Sequence, residues 1–166
     1  MSSISDRHLA AICRRGHIVS TDALPEVESK RRCGTCGARV FVACPACEAP
    51  VLGPLRYAVY AVAWKPDEFC WHCGVPYPWA SQGAIANHIE NILDEHTDLP
   101  EGDRRALREQ LKALREPATS ADIERRQLRA LEALKRLAPK AWEVAQPLIT
   151  AIATTEIKRQ LGIPLT

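Results

Sequence analysis

The rhythm of apolar and polar positions changes partway along this chain. From about residue 81 onward, apolar side chains recur every three or four residues, the period of one helix face. Ile85, Ile89, Ile92 and Leu93 predict a helix to about His96, with Ser81 as its N-cap. Leu107, Leu111 and Leu114 predict a second helix, opened by Pro100 and ended by Pro117. Ile123, Leu128, Leu131, Leu134 and Leu137 predict a third, capped by Thr119 or Ser120. Pro139 introduces a fourth, Trp142 to Gln160, with Val144, Leu148, Ile152 and Ile157 apolar and Gly162 as its stop. Pro147 is expected to kink this helix or to fall in its first turns. The apolar seams suit closure into a bundle. Closure would leave Ala145, Ile149, Ala153 and Thr154 exposed, a small-residue surface expected to meet a protein partner or a second copy of the chain.

Upstream the pattern is different. Short runs rich in β-branched and aromatic residues, His17–Ser20, Ala38–Ala43 and Leu55–Ala63, predict strands punctuated by proline and glycine. Pro76-Tyr77-Pro78-Trp79 reads as a stiff exit, because each proline fixes its own φ and restricts the residue before it. Trp79 is expected to pack against the strands. The division is therefore residues 1–78, with strands, and residues 79–166, with about four helices, an α+β chain.

Composition narrows the class. The chain has 166 residues, 46% hydrophobic and 25% charged, close to an ordinary globular protein and far from a disordered one. Its longest apolar stretch, Pro147 to Thr155, is about half of what a bilayer span needs. The first residues, Met-Ser-Ser-Ile-Ser-Asp-Arg-His, lack the apolar core of a secretory signal. A soluble cytoplasmic protein with no membrane contact is the expectation.

The cysteines change the picture. There are seven, an odd number that fits a disulfide framework badly. Six form Cys-x-x-Cys pairs: Cys33 with Cys36, Cys44 with Cys47, and Cys70 with Cys73. Two intervening residues let both sulfurs turn onto one tetrahedral Zn²⁺. Gly37 and Gly74 follow two of the pairs, where the turn favours a residue tolerant of positive φ. Three pairs and the lone Cys13 supply seven ligands, whereas two closed sites need eight. His17, four residues after Cys13, is the natural eighth. The ligand set is thus Cys13, His17, Cys33, Cys36, Cys44, Cys47, Cys70 and Cys73, holding two structural zinc ions. Sequential pairing gives a double zinc ribbon, with each site closing a gap that could hold a β-hairpin. A cross-brace, first knuckle with third, stays open. A centre of three thiolates and a neutral histidine has one net negative charge and a four-thiolate centre has two, so loading takes the formal charge from +2 to about −1.

The chain resembles an uncharacterised bacterial family, domain of unknown function 2321, over Ala11 to Trp79. The matching motifs are Cys13-x-x-Gly16-His17-Ile18-Val19, Cys33-x-x-Cys36-Gly37-Ala38, Cys44-Pro45-x-Cys47-x-x-Pro50-x-x-Gly53, and Phe69-Cys70-x-x-Cys73-Gly74-x-Pro76-Tyr77-Pro78-Trp79. Arg15 stands where the family pattern usually has asparagine. The resemblance implies two zinc ribbons followed by helices and no established activity.

Nothing in the sequence names a catalyst. Full, cysteine-rich sites leave no open position for a substrate. The deaminase, His-Glu-x-x-His, P-loop and Gly-x-Ser-x-Gly patterns are absent. Asp67 and Glu68 beside Cys70 read as loop solvation, and His88 and His96 as structural or solvated. A non-enzymatic adaptor or regulator acting by protein contact is the leading expectation. Nucleic-acid binding is the alternative, through Arg14, Arg15, Lys30, Arg31, Arg32 and Arg39, with Phe41, Tyr57, Tyr60 and Trp71 available to stack on bases. Against it, residues 51–97 hold two basic and five acidic side chains. The 13 basic and 10 acidic residues from Asp98 on are mixed, as on a solvated helix face.

Overall fold

The computed structural model describes residues 4–28, 31–57 and 64–165. The chain folds as two compact units, Met1–Ala80 and Ser81–Thr166. The architecture is α+β, with short antiparallel strands in the first unit and most of the helix in the second.

In the first unit, β1 (Arg7–Leu9) pairs with β5 (Leu52–Leu55), while β2 (Ala11–Cys13) lies between β3 (Ile18–Ser20) and β4 (Val40–Phe41). All these pairings are antiparallel. A single helical turn, α1 (Pro25–Glu28), follows β3. The gap between His17 and Cys33 is long enough for a hairpin of its own; among its described residues, β3 folds back on β2 and α1 follows. The strand predicted over Leu55–Ala63 falls mostly outside the described residues. β5 ends at Leu55, Arg56 and Tyr57 turn, and residues 58–63 lie outside the described residues.

Ala10 to Cys13 carries the first unit's core, since all four residues are fully buried. Successive strand residues face opposite ways. Ala10 and Ile12 accordingly join Val51 and Tyr77 around Cys44 and Cys70. Ala11 and Cys13 join Ala23 and Val40 around Cys33. Each apolar cluster is only a handful of side chains, and each includes cysteines.

The second unit contains α2 (Gln82–Glu95), α3 (Glu101–Leu111), a 3₁₀ turn (Lys112–Arg115), α4 (Ala121–Leu137), α5 (Pro139–Ile152) and α6 (Thr155–Leu161). Ser81 and Ser120 cap α2 and α4, their hydroxyls accepting from Ala84 N–H at 3.2 Å and Ile123 N–H at 3.3 Å. α2 packs on α5, the 3₁₀ turn and α3, and α4 packs on α3 and α5. Leu107, Leu111, Leu114, Leu131, Leu134, Leu148, Ile149 and Ile157 are buried together with Ile89 and Leu93.

The last predicted helix is two helices, not one. α5 ends at Ile152, and Thr154 starts α6 with its hydroxyl accepting from Ile157 N–H at 3.2 Å. Pro147 lies well inside α5, where its missing N–H costs one ladder bond and does not end the helix. The buried face of α5 is also rotated from the expected one. Ala141, Trp142, Ala145, Leu148 and Ile149 face inward, and Val144 is 47% exposed. Ala145 and Ile149, expected on a partner surface, are completely buried. Small side chains at Ala86, Ala141 and Ala145 let backbones approach closely, so the alanine side of α5 is its packing face. Ala153 and Thr154 are half-buried, and Thr154 also donates its hydroxyl hydrogen to Glu124. The four residues do not form one exposed surface.

Candidate metal centres

Each knuckle is the same five-residue turn. The first cysteine's N–H donates to the carbonyl five residues on, and its carbonyl accepts from the N–H four residues on. These bonds join Cys33 with Ala38 and Gly37, Cys44 with Ala49 and Glu48, and Cys70 with Val75 and Gly74, at 2.8–2.9 Å. The residue after each second cysteine is left-handed: Gly37 at φ 69°, Glu48 at 61° and Gly74 at 71°. The sequence signals this at the glycines and hides it at Glu48.

The Cys13–His17 half-site is one residue shorter at its turn. Gly16 N–H donates to Cys13 carbonyl at 2.8 Å, and Cys13 N–H to His17 carbonyl at 3.0 Å. Gly16 has φ 85°, and a Cβ there would sit 3.4 Å from Trp79 Cβ. Trp79 therefore closes over this turn as expected, with its indole N–H donating to the Asp67 carbonyl at 2.9 Å.

Two groups of four ligand atoms result, each with all members within 4.8 Å of one another. The first is Cys13, His17, Cys33 and Cys36, and the second is Cys44, Cys47, Cys70 and Cys73. The pairing is sequential, so the cross-brace does not form. In the first group His17 Nδ1 lies 3.5 Å from Cys13 Sγ, 3.3 Å from Cys36 Sγ and 3.6 Å from Cys33 Sγ. Cys13 and Cys36 sulfurs are 3.8 Å apart. In the second group, Cys44–Cys73 and Cys47–Cys70 are 3.8 Å and 3.6 Å apart. Tetrahedral bonds of zinc length put sulfurs about 3.8 Å apart and sulfur from nitrogen about 3.6 Å. A disulfide would bring two sulfurs to about 2.05 Å. The spacings fit a tetrahedral cation and exclude disulfides among these pairs.

Backbone donors already point at the sulfurs. The N–H groups of Arg15 and His17 both donate to Cys13 Sγ at 3.3 Å. Burial pushes the Cys33 thiol up, but N–H groups of Thr35 and Cys36, the Cys36 thiol and the His17 ring outweigh it and bring Cys33 to about 6. Burial likewise raises Cys70, and N–H groups of Cys73 and His72 with the Cys47 and Cys73 thiols bring it to about 6. Cys47, Cys36 and Cys44 go the other way. The Ala49 N–H lowers Cys47, yet burial and the thiols of Cys73, Cys70 and Cys44 push it up to about 12. Cys36 is lowered by the Ala38 N–H and raised overall by burial, Cys33 and Cys13. Cys44 is raised, first by burial. Each cluster holds a sulfur that ionises early, Cys33 or Cys70, beside at least one held protonated, whose ionisation needs a compensating cation.

With this geometry established, the family comparison is decisive. A family model, an uncharacterized protein conserved in bacteria, domain of unknown function 2321, matches residues 6–161. The chain belongs to this family. The match spans the helical unit as well as the cysteine-bearing one. No curated protein and no solved structure matches the chain.

The basic candidates are close together in the first unit. Arg14 N–H donates to Arg39 carbonyl at 2.9 Å, and Arg39 forms a β-bridge with Arg32. Arg14, Arg39 and Arg32 therefore sit on three adjacent backbone segments beside the first cluster, and all three are exposed. Arg15 and Arg31 are exposed too, with Arg31 3.5 Å from the Glu28 carboxylate. Lys30 lies outside the described residues, as does Tyr60. Arg39 lies over the Phe41 ring at 5.3 Å. Of the other proposed stacking residues, Tyr57 is exposed, and Trp71 is partly tied down by its indole N–H donating to Pro50 carbonyl at 3.0 Å.

Proposed function

We propose that both clusters hold structural zinc ions, and that the zinc-held unit is a non-enzymatic binding module whose basic edge contacts the phosphates of a nucleic acid. Four protein ligands per cluster leave no coordination position for a reacting group, which favours a structural role. Held in place, the ions would supply the charge that lets all the sulfurs ionise and would fix the knuckles from which Arg14, Arg32 and Arg39 extend. The juxtaposition of those three arginines carries the nucleic-acid reading. Among the described residues none of the three makes an ion pair, so their charge is available to a partner. The test is fluorescence-anisotropy titration of zinc-loaded protein with single-stranded RNA and duplex DNA across a salt series. Affinity should fall steeply with salt, and joint replacement of Arg14, Arg32 and Arg39 by glutamate should abolish it. No binding at low salt removes this reading.

The adaptor reading is supported by a different observation. Leu24, just before α1, and Val27, within it, are 63% and 43% exposed and lie three positions apart. Aspartate at both should then abolish capture of a protein partner while leaving nucleic-acid binding unchanged.

A further inference from the structure

One buried group beside the second cluster has no partner among the described residues. Tyr77 is 4% exposed and packs in the same core as Cys44 and Cys70. Its hydroxyl is buried with no hydrogen-bond partner of ordinary geometry. Its position is held from several sides. The ring stacks on Trp79 with centroids 4.5 Å apart and planes 13° from parallel. Its N–H donates to Glu68 carbonyl at 2.9 Å, and its carbonyl accepts from Ala80 N–H at 2.9 Å. A buried hydroxyl left unpaired loses its hydration with nothing in return, so native proteins rarely keep one.

We propose that Tyr77 is a positioning residue for the metal-loaded second centre, its hydroxyl donating a hydrogen bond to the Cys70 sulfur. This rests on metal occupying that cluster. A neutral thiol is a weak acceptor, whereas a thiolate is a strong one. In the loaded cluster all four sulfurs are thiolates, so the hydroxyl has a strong acceptor within its own core. The four-thiolate centre is the one with most need of such a contact. Its negative charge exceeds that of the histidine-containing centre, and each hydrogen bond to a sulfur withdraws charge from it.

The test compares wild type, Tyr77→Phe and Tyr77→Leu, each loaded with Co²⁺. Native mass spectrometry counts the ions, sulfur-to-cobalt charge-transfer absorption reads the ligand field, and chelator competition reads the release rate. Wild type should hold two ions. Tyr77→Phe keeps the ring on Trp79, so it should keep both while shifting the charge-transfer band and releasing one ion on the order of 10-fold faster. The other ion's release should be unchanged. A purely packing role instead predicts that Tyr77→Phe matches wild type in band and rate and only Tyr77→Leu loses the ion; that result overturns the proposal. Failure of the underlying reading is distinct, because it shows in wild type: a single ion whose spectrum is unaltered by Cys70→Ser overturns metal at this cluster and the Tyr77 contact with it.

Discussion

Glu48 shows how residue-level chemistry can run against its own position. It occupies the left-handed place that Gly37 and Gly74 fill in the sister knuckles, with φ 61°. A residue with a Cβ pays about 1–2 kcal/mol there, partly offset by glycine's greater freedom when unfolded. Glu48→Gly should therefore be neutral or stabilise the loaded protein by up to about 1 kcal/mol. Gly37→Ala and Gly74→Ala should each destabilise it by about 1 kcal/mol, through backbone strain alone, since nothing lies within 4 Å of the added Cβ. Thermal melts of the three variants check both signs, and a destabilising Glu48→Gly would refute the account. Six of the eight clustered positions were legible because Cys-x-x-Cys spacing is a local signal. His17 was legible through counting. Glu48 was not, because nothing about a glutamate announces a left-handed turn. Tyr77 was read only as part of a stiff exit, because its packing in one core with Cys44 and Cys70 is a tertiary fact.

At the scale of elements, helical period was a good guide to existence and a poorer one to rotation. α2, α3 and α4 begin where their capping signals stand, whereas α5 presents a different face from the one expected. The error came from weighting large apolar side chains over small ones. Val144 and Ile152 were assigned to the core stripe, but alanines at 141 and 145 are fully buried beside Trp142 and Ile149. α4 repeats the lesson with a polar residue. Gln127 is 2% exposed because its amide donates to the carbonyls of Ala113 at 3.2 Å and Glu116 at 2.6 Å, covering the end of the 3₁₀ turn. Hydropathy alone cannot find a buried amide whose partners are distant carbonyls. These placements set an explicit contrast. Ile149→Asp should destabilise the helical unit by at least about 3 kcal/mol, since it buries an unpaired charge. Val144→Asp, on the same helix, should cost under about 0.5 kcal/mol. Thr154→Ala, removing the α6 cap and the bond to Glu124, should cost about 1 kcal/mol. Chemical denaturation followed by helical circular dichroism ranks the three. Equal losses at positions 144 and 149 would contradict the helix rotation.

On the scale of the whole molecule, the two units hold together by different means. The helical unit buries a large set of leucines and isoleucines, while the described residues of the first unit form two small apolar clusters completed by cysteines. Structural zinc contributes on the order of 10–16 kcal/mol in small zinc-finger peptides, more than such clusters can supply alone. Chelation should therefore abolish the first unit's near-ultraviolet signal and leave most of the helical signal intact. Protons should do gradually what a chelator does at once. Cys44 and Cys47 are raised above the ordinary thiol range, so at neutral pH a cation must displace their protons on entering the second cluster, and its apparent affinity must rise with pH. Cys70 behaves differently, because it is lowered to about 6. Above that pH it is already ionised and adds nothing to the dependence. As pH falls through about 6 it gains a proton that the cation must also displace, so the slope of log affinity against pH should steepen by about one. The all-cysteine cluster is where this should be measured, by competition with a chromophoric zinc chelator from about pH 5 to 8. Cys70→Ser, which removes the early-ionising sulfur, should weaken binding throughout and erase the steepening. An affinity independent of pH would mean that the thiols are ionised before the cation arrives, contrary to the burial and mutual repulsion that hold Cys44 and Cys47 protonated.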